Sequence, residues 1–348
     1  MRVLFIGESA ERSSPTHTIA QLLQSRQHAV SVCQSQWGMR GWVREARASD
    51  AVVCIGYHTA PGLFIRIHLA SLLGKPVIRW WVGTDVYNAL TSPAIAHDAR
   101  RMDRYVAANI AVAPHLRDEL ASVGIDASVI GIPSHRQPEF IEPTWSSRIA
   151  RSVLAYVPSS KPDFYGGPVV EQLARAMPEL TFCVVRDEAG MYRHLPNVVS
   201  MPYVEDMDSL YRKAGCLLRM TRHDGLPRMV LEALARGRYV VYAWPLEGCI
   251  PARTFEQAQA ALAQIAAATE PNRAGMHLMQ RYDLDREFYQ PWTEVVGQAP
   301  RSQRWRTCIA RVRVPLDVPM ALVRHLRAAL HRPGRREEPP TRSPGRDG

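Results

Sequence analysis

The fold of this chain is decided by residues 197–241, NVVSMPYVEDMDSLYRKAGCLLRMTRHDGLPRMVLEALARGRYVV. Three short apolar runs with the character of strands (198–202, 216–220 and 239–243) alternate in this stretch with two amphipathic helical segments. The second helix is predicted to start at Pro227, whose missing N–H costs nothing at the first helical position, and to stop at Gly237. Strands separated by helices predict parallel pairing, with helices on both faces of the sheet.

The same alternation continues on both sides of this stretch. Apolar runs recur at 2–7, 29–33, 51–56, 77–83, 109–113 and 128–132, and again at 153–158 and 181–186. A chain of 348 residues is longer than one core supports, and a polar, proline-rich segment interrupts the pattern. We therefore predict an α/β protein with two Rossmann-like, doubly wound domains that face a cleft. The predicted parts are domains 1–135 and 151–285, a linker 136–150, a helix 286–299 as a candidate to cross back to the first domain, and a basic tail 300–348.

The net charge of +10 is concentrated in the tail. Twelve arginines and four acidic residues lie from Arg301 onward, so the first 300 residues carry a net charge of only +2. Residues 315–332 can form a basic amphipathic helix, which predicts either binding to an anionic membrane surface or packing against the body of the protein. Arginine-rich tails also bind nucleic acid, but the nearly neutral body argues against a nucleic-acid partner.

No segment predicts export or a membrane span, because the sequence has no run of about 18 apolar residues and the N-terminal run is too short for a signal peptide. The expected location is cytoplasmic, with the inner face of the membrane as the alternative that the tail offers. The six cysteines lack Cys-x-x-Cys spacing and are expected in the core. Asp206 and Asp208 fit the start of a helix better than a manganese site, so neither a metal nor a cofactor is expected.

Two carboxylates flank the Gly-Leu-Pro turn. Asp224 precedes the predicted helix, and Glu232 lies in its second turn. Free N–H groups at a helix start can bind a phosphate, and carboxylates can accept hydrogen bonds from sugar hydroxyls beside it. This pattern predicts a site for a sugar nucleotide. The alternative is an ordinary capping aspartate and a solvated glutamate.

Residues 197–241 resemble the donor-binding half of retaining glycosyltransferases with the GT-B fold, family four in the usual classification. The resemblance extends, in the same order, to RVLFIG (2–7), IAVAPHLRDELASVGIDASVIGIP (110–133) and NRAGMHLMQRYDLDREFYQPWTEVV (272–296). It leaves out only the tail. It implies the GT-B fold and the metal-independent, retaining transfer of a sugar from a nucleotide-sugar donor to a saccharide or lipid-linked acceptor, in the synthesis of a surface polysaccharide or glycolipid.

The resemblance also implies roles for single residues. Asp224 would hold hydroxyls of the transferred sugar and Glu232 the ribose of the nucleotide. The amides of Gly225 and Leu226 would bind the diphosphate, and Pro227 is a further donor-binding residue. The family more often has Glu at the first acidic position, so the identity of the sugar is not predicted.

The sequence departs from the family in the loop PSSKPDFYGG (158–167). There the family usually carries an Arg and a Lys that neutralise the leaving diphosphate, whereas Ser159 and Tyr165 stand near those positions here. Ser159 stays a candidate donor contact, and the expected replacement cations are Lys161, Arg222 and Arg228. Without a cation at the site, the chain would be a slow or inactive sugar-nucleotide-binding protein, and a sugar-nucleotide epimerase of the same fold is a further alternative.

Polar side chains follow two strands of the first domain, with Asp85 in WWVGTDV (80–86) and His58 in GYHTAPG (56–62). Because the carboxyl ends of parallel strands face the cleft, both are candidate acceptor-side catalytic residues, and Asp85 could accept the proton of the acceptor hydroxyl. The alternatives are that Asp85 caps the helix beginning near Val86 and that His58 is an ordinary turn residue.

Overall fold

A computed structural model describes residues 1–7, 14–33, 38–55, 61–132 and 143–299. His58, the first seven residues of the predicted linker (136–142) and the whole tail 300–348 lie outside these ranges. Within the described ranges, no helix has both the length and the apolar character that a membrane span requires.

The first sheet has six parallel strands in the order β2-β1-β3-β4-β5-β6. Its strands are β1 (Arg2–Gly7), β2 (Ala29–Val32), β3 (Ala51–Ile55), β4 (Val77–Trp81), β5 (Ala108–Ala111) and β6 (Ser128–Val129). The helices between them are α1 (Pro15–Ser25), α2 (Met39–Ala48), α3 (Pro61–Leu72), α4 (Thr84–Thr91), α5 (Pro93–Asp103) and α6 (Pro114–Ser122).

The second sheet also has six parallel strands, in the order β12-β11-β10-β7-β8-β9. Its strands are β7 (Ser152–Tyr156), β8 (Thr181–Val185), β9 (Val198–Met201), β10 (Cys216–Arg219), β11 (Tyr239–Tyr242) and β12 (Ile250–Pro251). Its helices are α7 (Ser147–Ala150), α8 (Gly167–Ala176), α9 (Met207–Lys213), α10 (Arg228–Ala235), α11 (Phe255–Ala266) and α12 (Arg273–Gln280). The predicted pair of doubly wound α/β domains is therefore confirmed.

Burial explains why these runs pair in parallel. Every residue of β3 and β4 is buried, as expected of strands covered by helices on both faces. The first sheet has one core cluster, whereas the second has two, one on each face. Cys54 and Cys216 lie in these cores, as expected of buried cysteines.

The chain returns to the first domain after α12. A π-helical turn (Asp285–Tyr289) continues as a helix to residue 299, and its apolar face joins the core cluster of the first sheet. The ring of Trp80 on β4 stacks against those of Phe288 at 6.0 Å and Trp292 at 5.7 Å. Tyr289 donates a hydrogen bond from its hydroxyl to the carbonyl oxygen of Leu22 on α1. This helix ties the second domain to the first.

The start of α10 differs from the prediction by one residue. Pro227 is the N-cap, with an extended backbone (φ −73°, ψ 134°), and the helix begins at Arg228. The end of the helix agrees with the prediction, since Gly237 follows the C-cap residue with φ +66°. Proline is therefore placed where the chain enters the helix, where its lack of an N–H is still harmless.

Replacement of Trp292 by alanine is expected to lower the free energy of unfolding by about 3 to 5 kcal/mol, because it removes a fully buried ring and leaves a cavity against Trp80. Chemical denaturation of the full chain would measure it. Glu294→Ala, an exposed change in the same helix, should stay within about 0.5 kcal/mol of the parent. Equal stability of the two variants would contradict this packing role.

Candidate functional site

The candidate site lies where the strand order of the second sheet reverses. β7 and β10 are neighbours in that sheet, but their helices leave toward opposite sides, which opens a crevice at the carboxyl ends of the two strands. The loops at this crevice are 157–166 after β7 and 220–227 after β10. The loop between β4 and α4 in the first domain lies directly opposite.

Backbone meets backbone across the cleft at this point. A Cβ atom at Gly225 would lie 2.2 Å from the carbonyl oxygen of Val82, and one at Gly83 would lie 2.8 Å from the backbone nitrogen of Gly225. Gly83 also has φ +140°, a conformation that L side chains rarely adopt. Only glycine fits at either position, so these two residues set how closely the domains approach.

Three further contacts hold the turn that contains Gly225. Tyr242 on β11 is buried and donates a hydrogen bond to the Gly225 carbonyl oxygen at 2.5 Å. Leu226 packs against the core of the first domain. The ring of His115 on α6 bonds the Asp224 carbonyl oxygen at 2.9 Å through Nε2 and stacks on Trp244 at 5.4 Å. The turn is therefore held from both domains.

Asp224 is fixed by donors from its own domain. Its Oδ2 accepts a hydrogen bond from Arg219 Nε at 2.6 Å and one from Thr221 Oγ1 at 3.0 Å, and its Oδ1 accepts one from the backbone N–H of Gly225 at 3.0 Å. The side chains of Arg219 and Asp224 are 9% and 15% exposed. The pair is a largely buried, charge-assisted contact.

Sequence reasoning missed Arg219, although a signal was present. It is the last residue of the buried strand β10, where a charged side chain needs a partner. An arginine in the run CLLRM, five residues before an aspartate, could have been read as that partner.

Glu232 lies in the second turn of α10, as predicted, and its carboxylate is half-buried. Its Oε2 accepts a hydrogen bond from the hydroxyl of Tyr211 on α9 at 2.9 Å. Burial, followed by the charge of Glu232, raises the pKa of Tyr211 well above its usual value, so that hydroxyl remains a donor. Tyr211 therefore holds Glu232 in place.

Arg228 is the one predicted cation whose side chain makes a described contact across the cleft. Arg228 is the first residue of α10, and its Nη1 donates a hydrogen bond to Thr18 Oγ1 on α1 at 2.9 Å. A second polar contact joins His223 to Glu119 on α6, at 2.8 Å between Nε2 and Oε2. The amino ends of α1 and α10 thus approach each other across the cleft.

The cap role predicted for Asp85 is wrong, because α4 begins at Thr84 with Gly83 as its N-cap, and Asp85 lies inside the helix and binds the loop before it. Its carboxylate accepts hydrogen bonds from the backbone N–H groups of Val82, Gly83 and Val86 at 2.8 to 3.2 Å. The residue is 6% exposed and lies in the first turn of α4, which begins at Thr84. Burial raises the pKa of this carboxyl, an effect that the three N–H groups oppose. Asp85 holds the loop that contacts Gly225.

The remaining predicted cations and donors lie in the loops around the crevice. Ser159 donates a hydrogen bond from its hydroxyl to Asp187 Oδ1 at 3.0 Å, which ties it to the loop after β8. Lys161 and Arg222 have exposed side chains, and the backbone N–H of Arg222 bonds the carbonyl oxygen of Phe164. No described contact joins Ser159 to Asp224.

The Asp-x-Asp pair belongs to α9. Asp206 is its N-cap and accepts a hydrogen bond from the Ser209 N–H at 3.3 Å, as expected from the sequence. Asp208 pairs with Arg212 and Arg236. In the part of the chain that the structure covers, no group of three His, Cys, Asp or Glu side chains is arranged to hold a metal ion.

Comparison with solved structures identifies the fold. No family model matches the sequence, and no curated protein does. Among solved structures, HepE of Anabaena, in complex with UDP-glucose, is 14% identical with a TM-score of 0.66 over 85% of this chain and 100% of that chain. A glycosyltransferase from Rickettsia africae is 12% identical, with a TM-score of 0.60 over 85% of this chain and 98% of that chain.

Sucrose-phosphate synthase from Thermosynechococcus elongatus is also similar, at 12% identity and a TM-score of 0.59 over 89% of this chain and 99% of that chain. Together with the two six-stranded parallel sheets, these likenesses show that the chain has the two-domain, Rossmann-like GT-B fold.

Gly83→Ala is expected to destabilise the protein by more than about 1 kcal/mol, because the change strains the backbone and forces the new methyl group against Gly225. Gly41→Ala is the matched control. Gly41 lies within α2 with nothing within 4 Å of an added Cβ, so alanine there should stabilise by about 0.5 to 1 kcal/mol. Thermal unfolding would compare them, and similar values for the two variants would refute the interdomain constraint.

Proposed function

We propose that this protein is a glycosyltransferase that moves a sugar from a nucleotide-sugar donor to an acceptor without a metal ion. The observation that carries the proposal is the turn 224–227 at the start of α10. It lies at the topological switch point of the second sheet, against the first domain, with Asp224 before the helix and Glu232 within it. The GT-B likeness supports the proposal, and HepE was solved with UDP-glucose.

The proposed donor site uses the local chemistry of this turn. The N–H groups at the start of α10, beside Gly225, Leu226 and Pro227, can donate to the diphosphate, helped by the positive end of the helix dipole. Asp224 accepts hydrogen bonds from hydroxyls of the transferred sugar, and Glu232 accepts them from the ribose. Tyr211 keeps the Glu232 carboxylate oriented for that contact.

Departure of the nucleoside diphosphate requires positive charge near its leaving oxygen. Arg228 is the best placed of the proposed cations, because it stands at the first position of α10 and reaches α1 across the cleft. Lys161 and Arg222 are exposed on the neighbouring loops and can reach the diphosphate only by movement of their long side chains. A fixed positive group at such a site is worth about 3 kcal/mol of barrier.

The acceptor side of the proposal rests on the first domain. Asp85 supports the loop at the cleft, so its proposed contribution to catalysis is to fix Gly83 beside the donor turn. His58, outside the described ranges, remains a proposed acceptor contact. We propose a retaining reaction on a saccharide or lipid-linked acceptor in the synthesis of a surface polysaccharide or glycolipid. This part follows the family resemblance.

Binding of nucleotides to the full chain tests the donor site. Glu232→Ala should weaken the binding of the nucleoside diphosphate and of the sugar nucleotide alike, by about tenfold, because both ligands contain the ribose. Asp224→Ala should remove mainly the additional affinity that the sugar provides. Thermal shifts would measure both, since a ligand at 100 times its Kd adds about 2.7 kcal/mol of stability.

The control for these variants is Glu179→Ala, an exposed change in the loop before β8. It should bind both ligands as the parent does. If the three variants and the parent gave the same shifts, the assignment of Asp224 and Glu232 would be wrong. If the parent bound sugar nucleotides but never released the nucleoside diphosphate with any acceptor, the protein would be an inactive sugar-nucleotide-binding protein instead.

The tail gives a separate prediction about location. A basic amphipathic helix gains about 1 kcal/mol per basic residue at an anionic membrane surface, so the full chain should float with vesicles that contain phosphatidylserine. A version that ends at Ala299 should float much less. Vesicles of phosphatidylcholine alone are the control. Unchanged flotation of the shortened chain would exclude the tail as the membrane-binding segment.

A further inference from the structure

Among the residues that the structure describes, Arg219 is the one buried cation that contacts a proposed donor-binding carboxylate. It ends β10 at the switch point, five residues before Asp224, and its Nε donates to Asp224 Oδ2 at 2.6 Å. Thr221, which is 3% exposed, donates to the same oxygen at 3.0 Å. The two donors come from the end of β10 and from the loop that follows it, so these two segments together orient the carboxylate.

The surroundings of Arg219 are built for a cation. Its guanidinium carbon lies 5.3 Å from the ring centroid of Tyr156 and 5.9 Å from that of Tyr165. Aromatic faces at these distances attract a positive charge. Tyr165 is the residue that stands near the position of the family's lysine. A cation from β10 therefore occupies the space beside the loop in which the family's cation is missing.

The hydrogen bonds leave Asp224 with little freedom. A carboxylate accepts about four hydrogen bonds, and three are already made by Arg219, Thr221 and the Gly225 N–H. Aspartate has a shorter side chain than the glutamate that the family usually has. The Asp224 carboxylate can therefore accept a hydrogen bond from a ligand in only one direction, and Arg219 and Thr221 set that direction.

We propose that Arg219, together with Thr221, is a specificity-determining positioning residue that fixes the Asp224 carboxylate and so selects the configuration of the donor sugar's hydroxyls. This inference rests on the proposed sugar-nucleotide site. Arg219 acts through Asp224, because its Nε donates to the carboxylate, its Nη1 faces Met229 Sδ at 3.9 Å and its side chain is 9% exposed.

The experiment measures dissociation constants by calorimetry on the full chain. The probes are UDP-glucose, its epimer UDP-galactose, UDP-N-acetylglucosamine and GDP-mannose, each with its nucleoside diphosphate. For the tightest sugar nucleotide, Arg219→Met should raise the Kd about tenfold and change the Kd of the nucleoside diphosphate by less than about twofold. The ratio of the Kd values for UDP-glucose and UDP-galactose should move toward one.

Two further variants keep the inference testable if Arg219→Met folds poorly. Thr221→Val removes one hydrogen bond to Asp224 without removing a charge, and should raise the Kd of the sugar nucleotide about threefold. Asp224→Asn should weaken the binding of the sugar nucleotide as much as Arg219→Met does. The double variant Arg219→Met/Asp224→Asn should bind no more weakly than either single variant, because both changes act through one carboxylate. Arg175→Met, which removes an exposed ion pair in the last turn of α8, is the control.

The outcomes separate the roles. Equal weakening of sugar nucleotide and nucleoside diphosphate by Arg219→Met would overturn the inference, because it would mean a direct diphosphate contact or a general loosening of the loop. Additive losses in the double variant would overturn it as well. If the parent bound none of the sugar nucleotides, the proposed function would fail, and this inference with it.

Discussion

The contact on which the site depends is the one between the backbones at Gly83 and Gly225. No side chain fits at either position, so the backbones of the two domains are in direct contact there. Asp85 fixes one side of the contact through three N–H groups, and Tyr242 fixes the other through the Gly225 carbonyl oxygen. Because the donor turn is part of this contact, the geometry of the proposed site and the approach of the domains are set together.

The two carboxylates proposed to bind the donor each have a partner from a neighbouring element. The Asp224 carboxylate is held from β10 through Arg219, and the Glu232 carboxylate is held from α9 through Tyr211. An unpaired charge or hydroxyl at such depth would cost several kcal/mol. The same contacts that satisfy these groups also orient them, so stability and recognition are joined in this part of the fold.

Residues that follow the second domain complete the core of the first domain. The helix that ends at residue 299 places Phe288 and Trp292 on Trp80, so part of the first domain's core is supplied by the end of the described chain. The adjacent tryptophans of β4 consequently have different surroundings. Trp81 lies under the Arg79 guanidinium at 4.3 Å and bonds Asn109, whereas Trp80 is covered by this helix. A packed core of this kind limits how far the domains can separate on one side of the cleft.

The sequence by itself determined the alternation of strands and helices, the cap at Asp206, the stop at Gly237 and the placement of Asp224 and Glu232 around α10. These features depend on periodicity and on backbone preferences within a few residues. Only the tertiary structure decided that Asp85 holds a loop, that Ser159 bonds Asp187, and that Arg219 pairs with Asp224. Those contacts join strand ends and loops whose distances depend on the packing of whole sheets, which local patterns do not contain.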